Sequence, residues 1–445
     1  MSTTWAAEPP AAARAHTEDL GAFVIAAPSS YHAAAEIARR AQAAGFTTLA
    51  EPDEWAIRPG GRYVVVRDGS AIAFAVPASA GPATGFTVVG THTDSPGFKL
   101  KPKPTTGSSG FLQAGVEVYG GPLLTSWLDR ELELAGRVVT RDGAEHLVRT
   151  GPFLRIPQLA VHLDRSAAET PSLDRQRHVQ PIWGLGLPHE ADLLSSLVSN
   201  AGLNAGDVLG YDAVVADTAP PRAFGAGGAL WASGRLDNLL STHAALTALL
   251  AHAAESGDSA GGSAGFDGSG SIAVVAAFDH EEVGSESRSG AAGPFLANVL
   301  GRIGDGLGAR GDDRARALAS SFHVSSDVGH AVHPNYPDKH DPANRPVLGG
   351  GPILKINANQ RYATDAYGAA RWQVACERAG VPSQEFVSHN AVPCGSTIGP
   401  ITATRLGIRT VDVGAAILSM HSARELTAVV DPWYLSRAMR EVFAG

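Results

Sequence analysis

The stretch Ser271–Ser285, SIAVVAAFDHEEVGS, constrains the fold more than any other part of this chain. An apolar run of strand length stops abruptly at four ionisable residues, Asp279, His280, Glu281 and Glu282. A continuous run of Ile, Val, Ala and Phe suits a strand covered on both faces, at the centre of a largely parallel sheet. In open α/β sheets, ligands bind at the carboxyl ends of such strands. Adjacent carboxylates at that place repel and lose hydration unless positive charge compensates. A divalent cation would do so, with one carboxylate binding it and the other left free as a base. A solvated loop after a strand is the plain alternative. Ligands at other strand ends would decide between the two.

A chain of 445 residues suggests two domains. Its 44% hydrophobic and 18% charged residues are ordinary for a globular protein. A net charge of −9, with no Lys/Arg run, argues against a nucleic-acid surface. No stretch approaches the ~18–20 apolar residues of a membrane span, and the N-terminus lacks the pattern of a signal peptide. The cytoplasm is therefore expected. The two cysteines, Cys376 and Cys394, are too few for a disulfide scaffold, so any metal here must use His and carboxylate ligands.

Along the chain, 31–44 reads as an Ala-rich helix stopped by Gly45. RYVVV and AIAFAV around Asp68-Gly69 read as a hairpin, and FTVVG as a buried strand. Short strands separated by Pro and Gly then dominate until about 232, where strands and helices begin to alternate again. The expected organisation is a catalytic α/β domain from 1–95 plus 233–445, interrupted by a mainly β insert over 96–232. SGDSAGGSAGFDGSG, 256–270, reads as a surface loop.

Five acidic or histidine sites fall at strand ends or helix starts of the α/β part. FTVVG leads into His92 and Asp94, a pair in which the His can bind metal while the Asp orients its ring. Asp237 in GRLDNL stands where a helix begins, and N-capping is its plain alternative role. Glu281-Glu282 is the third site, Asp327 after FHVSS the fourth, and His421 in MHSARE the fifth. Such N/O ligands suit Zn²⁺, Mn²⁺ or Co²⁺. The count exceeds one tetrahedral ion with an open position and fits two ions about 3.5–4 Å apart that share a carboxylate.

THTDSPGFKLKP, GRLDNL, DHEEVGS, SSDVGHAVHPNY, PCGSTIGP and MHSARE, in this order, resemble the M18 aminopeptidases, the aspartyl aminopeptidase group of dinuclear zinc exopeptidases. The resemblance runs from about Phe23 to Phe443. It implies a zinc-exopeptidase α/β fold, a largely parallel sheet sandwiched by helices, with an inserted dimerisation domain. It implies that Asp237 bridges two metals, with His92 and Asp327 completing one site and Glu282 and His421 the other. By the same resemblance Glu281 is the general base acting on the attacking water, and Asp94 supports His92. His178 is similar to an insert histidine that reaches the neighbouring subunit's active site, although the preceding DRQR departs from the family pattern. Assembly as a tetrahedral homododecamer is also implied.

Lys355 and Arg361, in GPILKINANQRYATDA, correspond to a segment that the resemblance places beside the first substrate side chain. A cation there would pair with an N-terminal Asp or Glu. The expected activity is hydrolysis of N-terminal residues, preferably acidic, from peptides. The alternatives are a leucine-type aminopeptidase of the same family and a catalytically silent shell protein with this fold.

Overall fold

The computed structural model describes residues 8–165, 172–255 and 270–445. Nine strands form the central sheet: β1 (Thr47–Leu49), β2 (Arg62–Arg67), β3 (Ser70–Ala75), β4 (Phe86–His92), β5 (Ile272–Phe278), β6 (Phe322–Ser326), β7 (Ile353–Lys355), β8 (Gln384–Phe386) and β9 (Arg409–Gly414). Their spatial order is β1-β2-β3-β5-β4-β6-β9-β7-β8. The pairs β1/β2, β5/β4, β4/β6, β6/β9 and β7/β8 are parallel. Only β2/β3, β3/β5 and β9/β7 are antiparallel, so the sheet is mixed and largely parallel, as expected.

The apolar run Ile272–Phe278 is β5, and all seven of its residues are buried. Its side chains alternate: Ala273, Val275 and Ala277 enter one core, and Ile272, Val274, Ala276 and Phe278 the other. Helices Ala11–Ala26, Ser30–Ala43, Leu236–Glu255, Ala366–Ala379 and Asp431–Ala444 cover the first face. Helices Phe295–Gly306, Asp312–Ala319 and Ile398–Leu406 cover the second. Each fully buried Val or Ile of β5 contributes about 1.5–3 kcal/mol, and this two-sided burial holds the strand ends in place. Among the described residues no helix is long and apolar enough to cross a membrane.

The anticipated hairpin is β2–β3, closed at Arg67 opposite Ser70 around Asp68-Gly69. The helix expected over 31–44 spans Ser30–Ala43 and is capped by Ser29, whose side chain accepts from His32 N. The loop expected over 256–270 lies outside the described residues except for Gly270.

Between β4 and the helix at Leu236, the chain forms a second, wholly antiparallel sheet of six strands. Their order is Glu145–Arg149, Leu132–Thr140, Val208–Asp217, Gly97–Ser108, Phe111–Tyr119 and Ile182–Leu185. It has its own core, with Phe98, Val116, Trp127, Leu134 and Val215 buried. The chain returns through Leu230–Ser233, which pairs with Glu425–Ala428. The residues entering and leaving this sheet are therefore those that follow His92 and precede Asp237.

Candidate metal centre

Parallel pairing brings the candidate ligands to one edge of the central sheet. Phe278 at the end of β5 lies in register with His92 at the end of β4. Asp327 follows β6 directly, and its backbone N–H donates to Val413 of β9 at 3.0 Å. Asp237 does not act as a helix cap. Its backbone is non-helical (φ −81°, ψ 103°), and its carboxylate turns inward to the strand ends. The neighbouring Asn238 secures this turn by donating from Nδ2 to Ser326 O at 2.9 Å.

The Asp237 carboxylate faces two clusters. Its Oδ1 lies 3.2 Å from His92 Nε2, which is also 3.5 Å from Asp327 Oδ1. Its Oδ2 lies 3.4 Å from His421 Nε2, which is in turn 3.5 Å from Glu282 Oε2. Glu281 Oε2 stands 3.9 Å from His92 Nε2. The ligand atoms of His92, Asp237 and Asp327 lie within 4.8 Å of one another, as do those of Asp237, Glu282 and His421. His92 Nε2, Asp237 Oδ1 and Asp327 Oδ1 are buried and have no hydrogen-bond partner among the described residues. Buried polar atoms left this way are costly, and three converging on one point are what a cation would satisfy.

Electrostatics agree. Burial pushes the Glu281 carboxyl up to about 8; His92 opposes this, while Asp327, Asp237 and Asp94 add to it. Burial, with Asp237 near by, raises Glu282 well above the usual carboxylate range. Burial disfavours the His421 cation, yet bonding to Asp237 raises its pKa to about 9. Burial likewise opposes the His92 cation, and Asp237, Asp327 and Asp94 overcome it. The pocket has more negative charge than its own histidines can balance. Divalent cations would restore the carboxylates to their ionised form. The donor set fits such ions.

The family described as Aminopeptidase I zinc metalloprotease (M18) matches residues 23–443. The chain belongs to the M18 aminopeptidases. It is therefore a metallo-aminopeptidase, a hydrolase. A probable M18 family aminopeptidase 2 from Streptomyces avermitilis is 52% identical over 97% of this chain and 98% of its own length. A probable M18 family aminopeptidase 2 from Mycobacterium tuberculosis is 43% identical over 96% and 98%. Among solved structures, that of the Ape4 and Nbr1 complex has a TM-score of 0.91 at 37% identity, covering 97% of this chain and 86% of that one. The S. cerevisiae mApe1 dodecamer has a TM-score of 0.83 at 27% identity, covering 97% and 96%.

In this M18 aminopeptidase the residues singled out from sequence divide into two sets. His92, Asp94, Asp237, Glu281, Glu282, Asp327 and His421 gather at the strand ends. Lys355 joins them: it is buried, with Nζ 4.0 Å from Asp327 Oδ2, and it donates to Val328 O at 2.8 Å. Arg361 and His178 stand apart. Arg361 is exposed beyond the turn at Asn357–Gln360, and its backbone N–H donates to Asn357 Oδ1. His178 is exposed on the insert, where its Nδ1 accepts from Asp174 N at 3.1 Å.

Sequence reasoning missed two supporting residues. Glu425 is buried and accepts from the backbone N–H of both His421 (2.8 Å) and Asp237 (3.0 Å), so one carboxylate orients two candidate ligands. Its spacing four residues after His421 was the available signal. Tyr119, at the end of an insert strand, donates its hydroxyl to Asp94 Oδ2 at 2.8 Å, and nothing in its local sequence marks it.

Proposed function

We propose that this enzyme removes N-terminal residues, preferably Asp or Glu, from peptides, using two divalent cations, with zinc the leading candidate and cobalt or manganese the others. The observation that carries the dinuclear reading is the Asp237 carboxylate, one oxygen towards His92 and Asp327 and the other towards His421 and Glu282. Bound cations would acidify a water and polarise the scissile carbonyl. The chain's own part then falls to Glu281. Its carboxylate is partly accessible (15%) and stands at the rim of the His92 cluster, where it can take a proton from the attacking water. The water oxygen bonds to the carbonyl carbon, the C–N bond breaks, and Glu281 returns the proton to the leaving amine. Asp94 supports His92, with Oδ1 3.4 Å from Nδ1.

The acidic preference rests on Lys355, a buried ammonium beside the site, with Arg361 as a second cation of the same segment. A leucine-type preference is the second reading, favoured because Lys355 already donates to Val328 O. Turnover of Asp-, Glu- and Leu-terminated substrates separates them. The acidic reading requires at least a tenfold higher kcat/KM for Asp or Glu, about 1.4 kcal/mol of discrimination, and a Leu preference would overturn it.

We take 96–232 as a dimerisation domain and 1–95 with 233–445 as the catalytic domain, working in the cytoplasm as a tetrahedral homododecamer. The solved mApe1 dodecamer supports the assembly, as do exposed Leu163, Leu185 and Leu187 on the insert. His178, exposed on the same insert, would serve a neighbouring subunit's site. Light scattering should give the mass of twelve chains, and a monomer would overturn this part.

A further inference from the structure

Residues 119–121, Tyr-Gly-Gly, lie where the insert strand Phe111–Tyr119 ends, and they reach Asp94 and His421 of the candidate metal centre. Tyr119 Oη donates to Asp94 Oδ2 at 2.8 Å. That same oxygen accepts from Glu282 N at 3.1 Å, while Asp94 Oδ1 accepts from Glu281 N at 3.0 Å. One buried carboxylate thus holds the backbone of both glutamates, and Tyr119 holds the carboxylate. Two residues on, Gly121 O lies 3.0 Å from His421 Nδ1, which directs Nε2 of that ring to Asp237 and Glu282. His421 O in turn accepts from Leu123 N at 2.9 Å. Gly120 makes the close approach possible. Its φ is +65°, and a Cβ there would lie 3.2 Å from Glu282 Cβ.

We propose that the Tyr119–Gly121 segment is a positioning clamp supplied by the insert. Tyr119 fixes Glu281 and Glu282 through Asp94, and the Gly121 carbonyl fixes the ring of His421. The proposal rests on the metallo-aminopeptidase reading of the site but not on its acidic preference. It also makes the insert part of the active site of its own chain, whatever it does between chains. A hydroxyl that only filled space could be removed with no effect on the chemical step; one that orients the base could not.

Four variants of the full chain test this. Tyr119→Phe should lower kcat about tenfold or more, with KM within about twofold and bound metal unchanged. Combined with Asp94→Asn it should add little further loss, because the two act in one chain of contacts. Gly120→Ala should lose metal to a chelator about tenfold faster than the unmodified protein, read by metal analysis without any activity measurement. Glu117→Gln, an exposed change on the same strand, should behave as the parent in every measurement. Full kcat in Tyr119→Phe, additivity with Asp94→Asn, or unchanged metal retention in Gly120→Ala each overturns the clamp. If all activity and metal were absent from the parent protein, the aminopeptidase reading itself would fail instead.

Discussion

Glu281 and Glu282 are neighbours in sequence with separate surroundings. Glu282 is 6% exposed and faces His421, whereas Glu281 is 15% exposed and stands at the rim of the His92 cluster. Asp94 grips both backbone N–H groups, so the two side chains cannot exchange places. Replacing Glu281 by Gln preserves shape and removes the proton acceptor. We expect metal content to persist while kcat falls about 10²–10⁴-fold, the range for losing a positioned general base. Metal analysis paired with steady-state kinetics checks this, and a fully active variant would refute the assignment. The carboxylate pair was legible in the sequence because charge seldom follows a buried strand without cause. Tyr119 was not, because a tyrosine at the end of an insert strand looks like any other.

Among the elements, parallel strands end on the same edge, so the order β5-β4-β6 brings together the candidate ligands His92, Glu282 and Asp327 and the candidate base Glu281. The same close packing carries a cost in acid. His323 in β6 is buried, its Nε2 has no partner among the described residues, and its Nδ1 lies 3.3 Å from Thr410 Oγ1. Burial pushes its pKa down to about 3. A folded-state pKa below the ordinary 6.5 means that this group's contribution to stability is complete above about pH 6.5. It is lost as pH falls towards 3, because the unfolded chain binds the proton first. At pH 4 the loss should be about 3 kcal/mol. Urea denaturation at pH 7 and pH 4 tests this: His323→Leu should narrow the gap in midpoint between the two, and an unchanged gap would contradict it.

For the whole molecule, a cation bound at the candidate metal centre would cross-link segments far apart in sequence. His92 precedes the insert, Asp237 follows it, and Asp327 and His421 come from the last third of the chain. Ions that bind the folded site and not the unfolded chain stabilise by mass action, about 2.7 kcal/mol at a hundredfold excess over Kd. Chelation should therefore lower Tm by several degrees, and adding back zinc should restore it in a concentration-dependent way. A Tm indifferent to chelator would speak against an intrinsic metal site.

Residue pattern and family resemblance made the layered α/β fold legible, and they led to the expectation of a β-rich insert between His92 and Asp237 and of seven candidate residues at the strand ends. Local chemistry carries that information: period-2 burial, glycine and proline punctuation, and charge placed where burial makes it costly. How Asp237 divides its two oxygens, how Glu425 accepts from both His421 and Asp237, and how Tyr119 reaches Asp94 emerge from tertiary packing alone. These depend on a backbone turned away from helical geometry and on contacts between segments far apart in the chain. Lys355 shows the same divide. Its charge was evident from the sequence, but its burial beside Asp327 was not, because burial is a property of what packs around a residue.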